Sequence, residues 1–423
     1  MKGILDWLFK NQNSGQTIAK NAIWLFGGQM IGRLLRAVVV IYAARVLGAA
    51  SWGAFSYALG IAAFLTIFSD IGINALITKE TSRNPELKDK YLSTALFTKL
   101  GLLVFFITGV IVFFPYLTKI EEAAAIMPIL IFVFAFDTLR DLGSAVSRAL
   151  EKMQIEAGIN IFTNFSIAVL GLMFLVIQPT SHSLSLAYAI GSALGLIAIF
   201  WILKDHFKNL FKNFRKELIK PILATAWPFG LMGIMGAIML NTDIIMLGWL
   251  RSAEEVGYYS AAQKPIQLLY VLPTLLATSV FPLMVRLAKT SPAAAKALLD
   301  KCVSLVLKFA FPTAIIGLVF ATPIINLLFG SEYAPSVATF RILMATILIV
   351  YPSTLLGNMI FAFDRQKSFV TFVVVATFGN VLFNFLLIPL FGIEGAAVST
   401  LITQIITNYL IWRKAKQITA FGA

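Results

Sequence analysis

The chain has 423 residues, 59% hydrophobic and only 13% charged, with a mean hydropathy of +0.86 and a net charge of +14. Soluble domains carry about 25% charged residues, so a soluble fold is excluded, and repeated apolar runs of about 20 residues leave an all-α polytopic membrane protein. One cysteine (Cys302) and two histidines (His182, His206) exclude an internal disulfide and argue against a metal site, so no metal or cofactor is expected.

In chain order, "MKGILDWLFKNQNSGQTIAK" lacks signal-peptide form, because Asp6 and Lys10 interrupt its apolar run. Ile4, Leu5, Trp7, Leu8 and Phe9 suit either a short interfacial helix or a frayed tail. Twelve spans follow, over about 21–47, 52–78, 91–114, 124–148, 155–177, 183–203, 222–248, 256–285, 303–325, 336–363, 368–389 and 394–412. Of the 34 Lys and Arg, 24 fall in segments on one side, only Lys119 and Arg251 on the other, and 8 within spans. This bias makes both termini cytoplasmic and accounts for the charge without nucleic acid. Residues 1–20 and 413–423 are then cytoplasmic ends, and spans 1–6 (21–203) and 7–12 (222–412) form two lobes. Between them, "KDHFKNLFKNFRKELIK" (204–220), taken as a linker over 204–221, is basic and amphipathic.

The halves read as a repeat. "WGAFSYA" opening span 2 matches "VGYYSAA" opening span 8, which sets Gly53 against Gly257, and "ALEKMQ" matches "AFDRQK". Lys99 corresponds to Lys308. An even number of spans per half gives both halves one topology, related by a pseudo-two-fold axis along the membrane normal, with a central cavity suited to alternating access.

Charges inside spans are expensive and mark function. In "GGQMIGRLLRAVVVIYAARVLG", Gln29, Arg33 and Arg36 share one face, while Arg45 lies opposite, near the outer boundary, where it can snorkel. Arg33 and Arg36 suit a diphosphate, because guanidinium binds phosphate oxygens bidentately; the plainer alternative is an internal ion pair. Asp70, with Asn74 one turn on, is a candidate partner for Arg33. In "FAFDTLRDLGSAVSR", Asp137 and Asp141 flank Arg140, as a self-neutralised surface or as an extension of a cationic cavity. Asp243 and Lys264 lie about 7 and 10 Å below a shared outer turn, placed for a salt bridge or for a gate released by substrate phosphate. Pro265, Pro273 and Pro282 make span 8 the candidate bending element. No Walker A loop and no large outer loop with clustered carboxylates is present, which weighs against ATP hydrolysis and enzymatic chemistry.

"AARVLGAASWGAFSYA", "FSDIGINALITKETSR", "NTDIIMLGWLRSAEEVGYYSAAQK", "LLFGSEYAPS" and "FGIEGAAVSTLITQ" resemble the polysaccharide-export (Wzx-like) flippases, of the superfamily that includes MATE extruders and the lipid II flippase. The resemblance runs from about Thr17 to Trp412. It implies two six-helix lobes and movement of a polyprenyl-diphosphate-linked oligosaccharide to the outer leaflet of the inner membrane. The diphosphate would sit on Arg33 and Arg36, with Arg140 and Lys264 as further candidates. Na+ or H+ coupling could run through Asp70, Asp137 or Asp243. Membrane lipid, a polysaccharide polymerase and glycosyltransferases are the implied partners of a monomeric carrier. Many relatives have fourteen spans rather than twelve. A cation-coupled drug extruder is the alternative, although it calls for an acidic cavity and the in-span charges here are eight basic to four acidic. A membrane glycosyltransferase is a third class, and no donor-binding loop supports it.

Overall fold

The computed structural model describes residues 9, 14–83, 88–363 and 365–420. Ile4–Leu8 of the expected interfacial helix lie outside the described residues. Ten helical stretches are long and apolar enough to cross a membrane. Two are far longer than one crossing: Ala19–Asp70 has 52 residues and Ser368–Ile418 has 51. At 1.5 Å per residue a straight helix of that length would reach about 75–80 Å, against a hydrocarbon core of about 30 Å. Each is broken at a glycine whose backbone only glycine tolerates well, Gly48 (φ 73°, ψ 171°) and Gly392 (φ 56°, ψ −130°). Dividing each of these two at its glycine is consistent with the twelve spans read from the sequence.

The chain folds as two compact units, Met1–Leu47 with Ala58–Ala237, and Gly48–Tyr57 with Ile238–Ala423. In the first, a buried core is built from Ile73 and Leu76, Leu92 and Leu96 of span 3, Leu142 of span 4, and Ile199 of span 6. Spans 5 and 6 (helices Met153–Ile177 and Ser181–Ile202) pack closely through Gly191 and Gly195, where an added Cβ would lie 2.5 Å from Ile167 and 2.0 Å from the Thr163 hydroxyl.

Span 2 departs from the sequence reading. Its helix stops at Asp70, turns through Ile71 (φ 43°) and Gly72 (φ 80°), and resumes as Ile73–Arg83. A β-branched residue at positive φ costs on the order of 1–3 kcal/mol. The turn is held by packing: a Cβ on Gly230 would lie 2.6 Å from the Ile71 carbonyl carbon.

The central linker is not one amphipathic helix. It is a set of short turns, Lys204–Phe207, Leu210–Asn213 and Lys216–Leu218, docked on span 3. The Phe97 ring meets Phe211 and Phe214 at 5.1 and 5.4 Å, and the Arg215 amide donates to the Thr94 hydroxyl at 3.1 Å. Exposed Asp205 accepts from Lys208, which holds its carboxyl below the usual range.

In the second unit, Gly53 and Gly257, matched in the sequence repeat, lie against each other. A Cβ on Gly53 would fall 1.7 Å from the Ala253 carbonyl oxygen, and one on Gly257 would fall 2.0 Å from that of Ala49. One turn further on, the Ser260 hydroxyl donates to Ser56 at 3.0 Å. Span 8 is interrupted at Tyr270, between helices Ala253–Leu269 and Val271–Thr290. Pro273 has no N–H for the Leu269 carbonyl, and the Tyr351 hydroxyl supplies that bond at 3.0 Å. Span 10 is itself interrupted at Thr346, whose hydroxyl meets that of Tyr270. The breaks in the two helices are therefore stapled to each other.

Candidate functional site

Among the described residues, polar clusters lie inside the spans of both units. In the first unit, Gly28 and Gly32 open the face of span 1 to span 5. A Cβ on Gly28 would sit 2.7 Å from that of Ala157, and one on Gly32 would sit 2.9 Å from the Asn164 amide nitrogen. The close approach lets two asparagines one turn apart reach span 1. Asn160 donates to the Gly28 carbonyl (3.2 Å), Asn164 donates to Asn160 Oδ1 (2.8 Å), and Arg36 Nε donates to Asn164 Oδ1 (3.0 Å). The Arg36 guanidinium carbon also lies 5.7 Å from the Tyr188 ring centroid. Arg36 is half-buried and held by neutral groups, and Arg33 is exposed. Among the described residues, no ion pair involves either arginine.

Two cations of span 4 and its end are matched by acids. Arg140 meets Asp137 at 2.7 Å and Asp141 at 3.5 Å, and Arg148 meets Glu156 through two bonds of 2.7 and 2.5 Å. These pairs are common to both readings of span 4, the self-neutralised surface and the cationic cavity that Asp137 neutralises before substrate arrives. Gln29 and Arg140 do share a cavity of about 190 Å³, lined also by Asp141, Ser144, Glu156 and Asn160.

Asp70 does not pair with Arg33. Its partner is Lys99, at 2.8 Å and with no exposed surface; Lys99 also donates to Asn74 Oδ1 (2.8 Å) and to the Thr138 carbonyl (3.0 Å). Asp70 is the last residue of its helix, before the Ile71–Gly72 turn, and Lys99 reaches it from span 3. A fully buried ammonium demands a counter-charge more strongly than an exposed guanidinium does.

In the second unit, the expected salt bridge of Asp243 with Lys264 gives way to a neutral cage. Asp243 is 4% exposed and accepts from Asn384 (2.7 Å), Asn380 (3.2 Å), Thr400 (2.6 Å) and Tyr259. Spans 7, 8, 11 and 12 thus converge on one carboxylate. Asn384 is fully buried, and its Oδ1 has no hydrogen-bond partner. Lys264 is half-buried. The sequence reading missed Asn160, Asn164 and Tyr188 in one unit, and Tyr259, Asn380, Asn384 and Thr400 in the other. The signal was present as asparagines four apart in otherwise apolar helices, at 160/164 and 380/384.

A helical protein of this span count, with buried polar clusters in both units, is a polytopic membrane transporter by class. The chain belongs to the polysaccharide biosynthesis protein family, whose model matches residues 18–288. It is 22% identical over 416 residues to the capsular polysaccharide biosynthesis protein CapF of Staphylococcus aureus, covering 94% of this chain and all of that one. The probable low-salt glycan biosynthesis flippase Agl15 of Haloferax volcanii is 21% identical, covering 93% of this chain and 82% of its own. A putative O-antigen transporter of Shigella flexneri is 23% identical, covering 77% and 80%. The fold matches an inward-facing multidrug MATE transporter (TM-score 0.78, 14% identity, 95% of this chain and 100% of that one). It also matches the lipid II flippase MurJ (TM-score 0.73, 16% identity, 93% and 87%).

Proposed function

We propose that this protein is a flippase that moves a polyprenyl-diphosphate-linked oligosaccharide from the inner to the outer leaflet of the cytoplasmic membrane. It would do so by alternating access between two six-span halves, with both termini cytoplasmic. Glycosyltransferases would supply the substrate and a polymerase would consume it. The named flippase and O-antigen transporter relatives support this reading. The observation that carries it is a contrast among cations of the first unit: Lys99 and Arg140 within the spans, and Arg148 at the end of span 4, are spent on carboxylates, whereas Arg33 and Arg36 share one face with no ion pair among the described residues. Neutral partners orient the Arg36 guanidinium and leave its charge for a phosphate.

The coupling ion belongs at Asp243. Asp70 and Asp137 are neutralised by Lys99 and Arg140, whereas the partners of Asp243 are neutral. A small monovalent cation takes oxygen ligands, and the cage offers the Asp243 carboxylate, the Thr400 and Tyr259 hydroxyls and the partnerless Asn384 Oδ1. Asp243 and Asn384 would hold the ion, which supplies the gradient energy that biases the cycle.

Replacing Arg36 by Gln should reduce the appearance of lipid-linked sugar in the outer leaflet by at least tenfold at equal protein level, the equivalent of about 1.4 kcal/mol of lost interaction. Arg33→Gln should add to the loss. Wild-type export from the double variant would sink the cationic-site reading.

A further inference from the structure

The seam between spans 11 and 12 contains buried polar groups that the Asp243 cage does not use. Thr403 and Thr407 are 4% and 5% exposed, and neither hydroxyl has a hydrogen-bond partner. They stand three and seven residues beyond Thr400, so all three lie on one helical face. Span 11 presents a matching face in Asn384, Asn380 and Thr377, all buried. The two helices run antiparallel across the Gly392 break, and the 3.5 Å contact of Asn380 with Thr400 sets their register. That register brings Thr377 to the level of Thr403. Beyond Thr407, Asn408 donates to Gln404 Oε1 at 3.1 Å and carries the polar line toward Arg413 and Lys414.

Groups of this kind are costly to bury unless something satisfies them, and in protein interiors ordered water commonly does so. The lining selects for cations. It offers hydroxyl and amide oxygens, ends on a carboxylate, and includes no Lys or Arg between Ser368 and Trp412. From Thr400 to Thr407 the line extends about 10 Å.

We propose that this seam is a conduit along which a hydrated monovalent cation passes between Asp243 and the basic end of spans 11 and 12. The proposal rests on the reading of Asp243 as the coupling site. It separates the ion's route from the face that carries Arg33 and Arg36, so that ion and lipid-linked substrate do not share one path.

The test uses the full-length protein in liposomes and radiolabelled sodium. In Thr403→Val/Thr407→Val, equilibrium sodium binding should stay within about twofold of wild type while release of bound sodium slows about tenfold, a barrier effect and not an affinity effect. The Thr403→Ser/Thr407→Ser variant keeps both hydroxyls and should release at the wild-type rate. Because valine replaces partnerless hydroxyls, folding should not suffer; Thr407→Val alone gives a milder form of the same slowing. Unchanged release in the valine variants, with binding that still depends on Asp243, overturns the conduit alone. Wild-type protein that binds no sodium, or binds it equally well as Asp243→Asn, overturns the coupling reading and the conduit with it.

Discussion

Lys99 shows what a buried charge requires of its neighbours. It has no exposed surface, and its three described partners are Asp70, Asn74 and a backbone carbonyl. Removing one member of such a pair leaves the other charge uncompensated, at about 3–5 kcal/mol, whereas removing both can be nearly neutral. Asp70→Asn should therefore lower the melting temperature in detergent far more than Asp70→Asn/Lys99→Met does; equal losses would show that the pair is not what stabilises this region. The sequence displays both residues but not their pairing. Depth along one helix says nothing of which face a neighbouring helix presents, and Lys99 comes from span 3. Arg36, by contrast, was legible from helical spacing alone, because span 1 is regular there. What spacing could not show is its support: Asn164 is 128 residues away in sequence, and the contact exists only because Gly28 and Gly32 admit span 5.

At the scale of helices, breaks are where this protein departs from regular spans, and each is matched by a partner. Prolines in span 8 made an irregular helix legible in advance. Its repair was not, since Tyr351 lies 82 residues from Leu269. Tyr351→Phe leaves the Leu269 carbonyl without its donor in a site where water is scarce, which should cost about 1–3 kcal/mol. Thermal unfolding in detergent reads this directly, and an unchanged midpoint would mean the carbonyl finds another donor. The staple ties the two break points to each other, because Tyr270 and Thr346 share a hydrogen bond. The glycine breaks at Gly48 and Gly392 have a similar logic. Each lies beside a carboxylate: Glu332 accepts from the Ala49 amide at 2.9 Å, and a Cβ on Gly392 would sit 2.9 Å from a Glu255 oxygen.

For the molecule as a whole, the helical membrane-spanning class was readable because it depends on composition and period, which a bilayer constrains tightly. The cage around Asp243 was not, because it is assembled from four helices far apart in the chain. Where repeat and structure meet most closely is at Gly53 and Gly257. Both residues lie in the second compact unit. Each glycine faces backbone rather than a side chain, so nothing flexible can give way. Gly53→Ala and Gly257→Ala should each cost at least about 1–3 kcal/mol by overpacking; recovery of purified, monodisperse protein is the simplest measurement, and normal recovery from either would contradict the close approach.

That glycine contact also bears on how the sequence can change over time. When two side chains clash, a lineage can escape by shrinking one as the other grows. Neither glycine has anything left to give up, so no second-site change at the partner position can repair a substitution at the first. Of the three letters that the two stretches share at matched positions, the glycine is the one set against backbone on both sides, where no side chain can turn aside to make room.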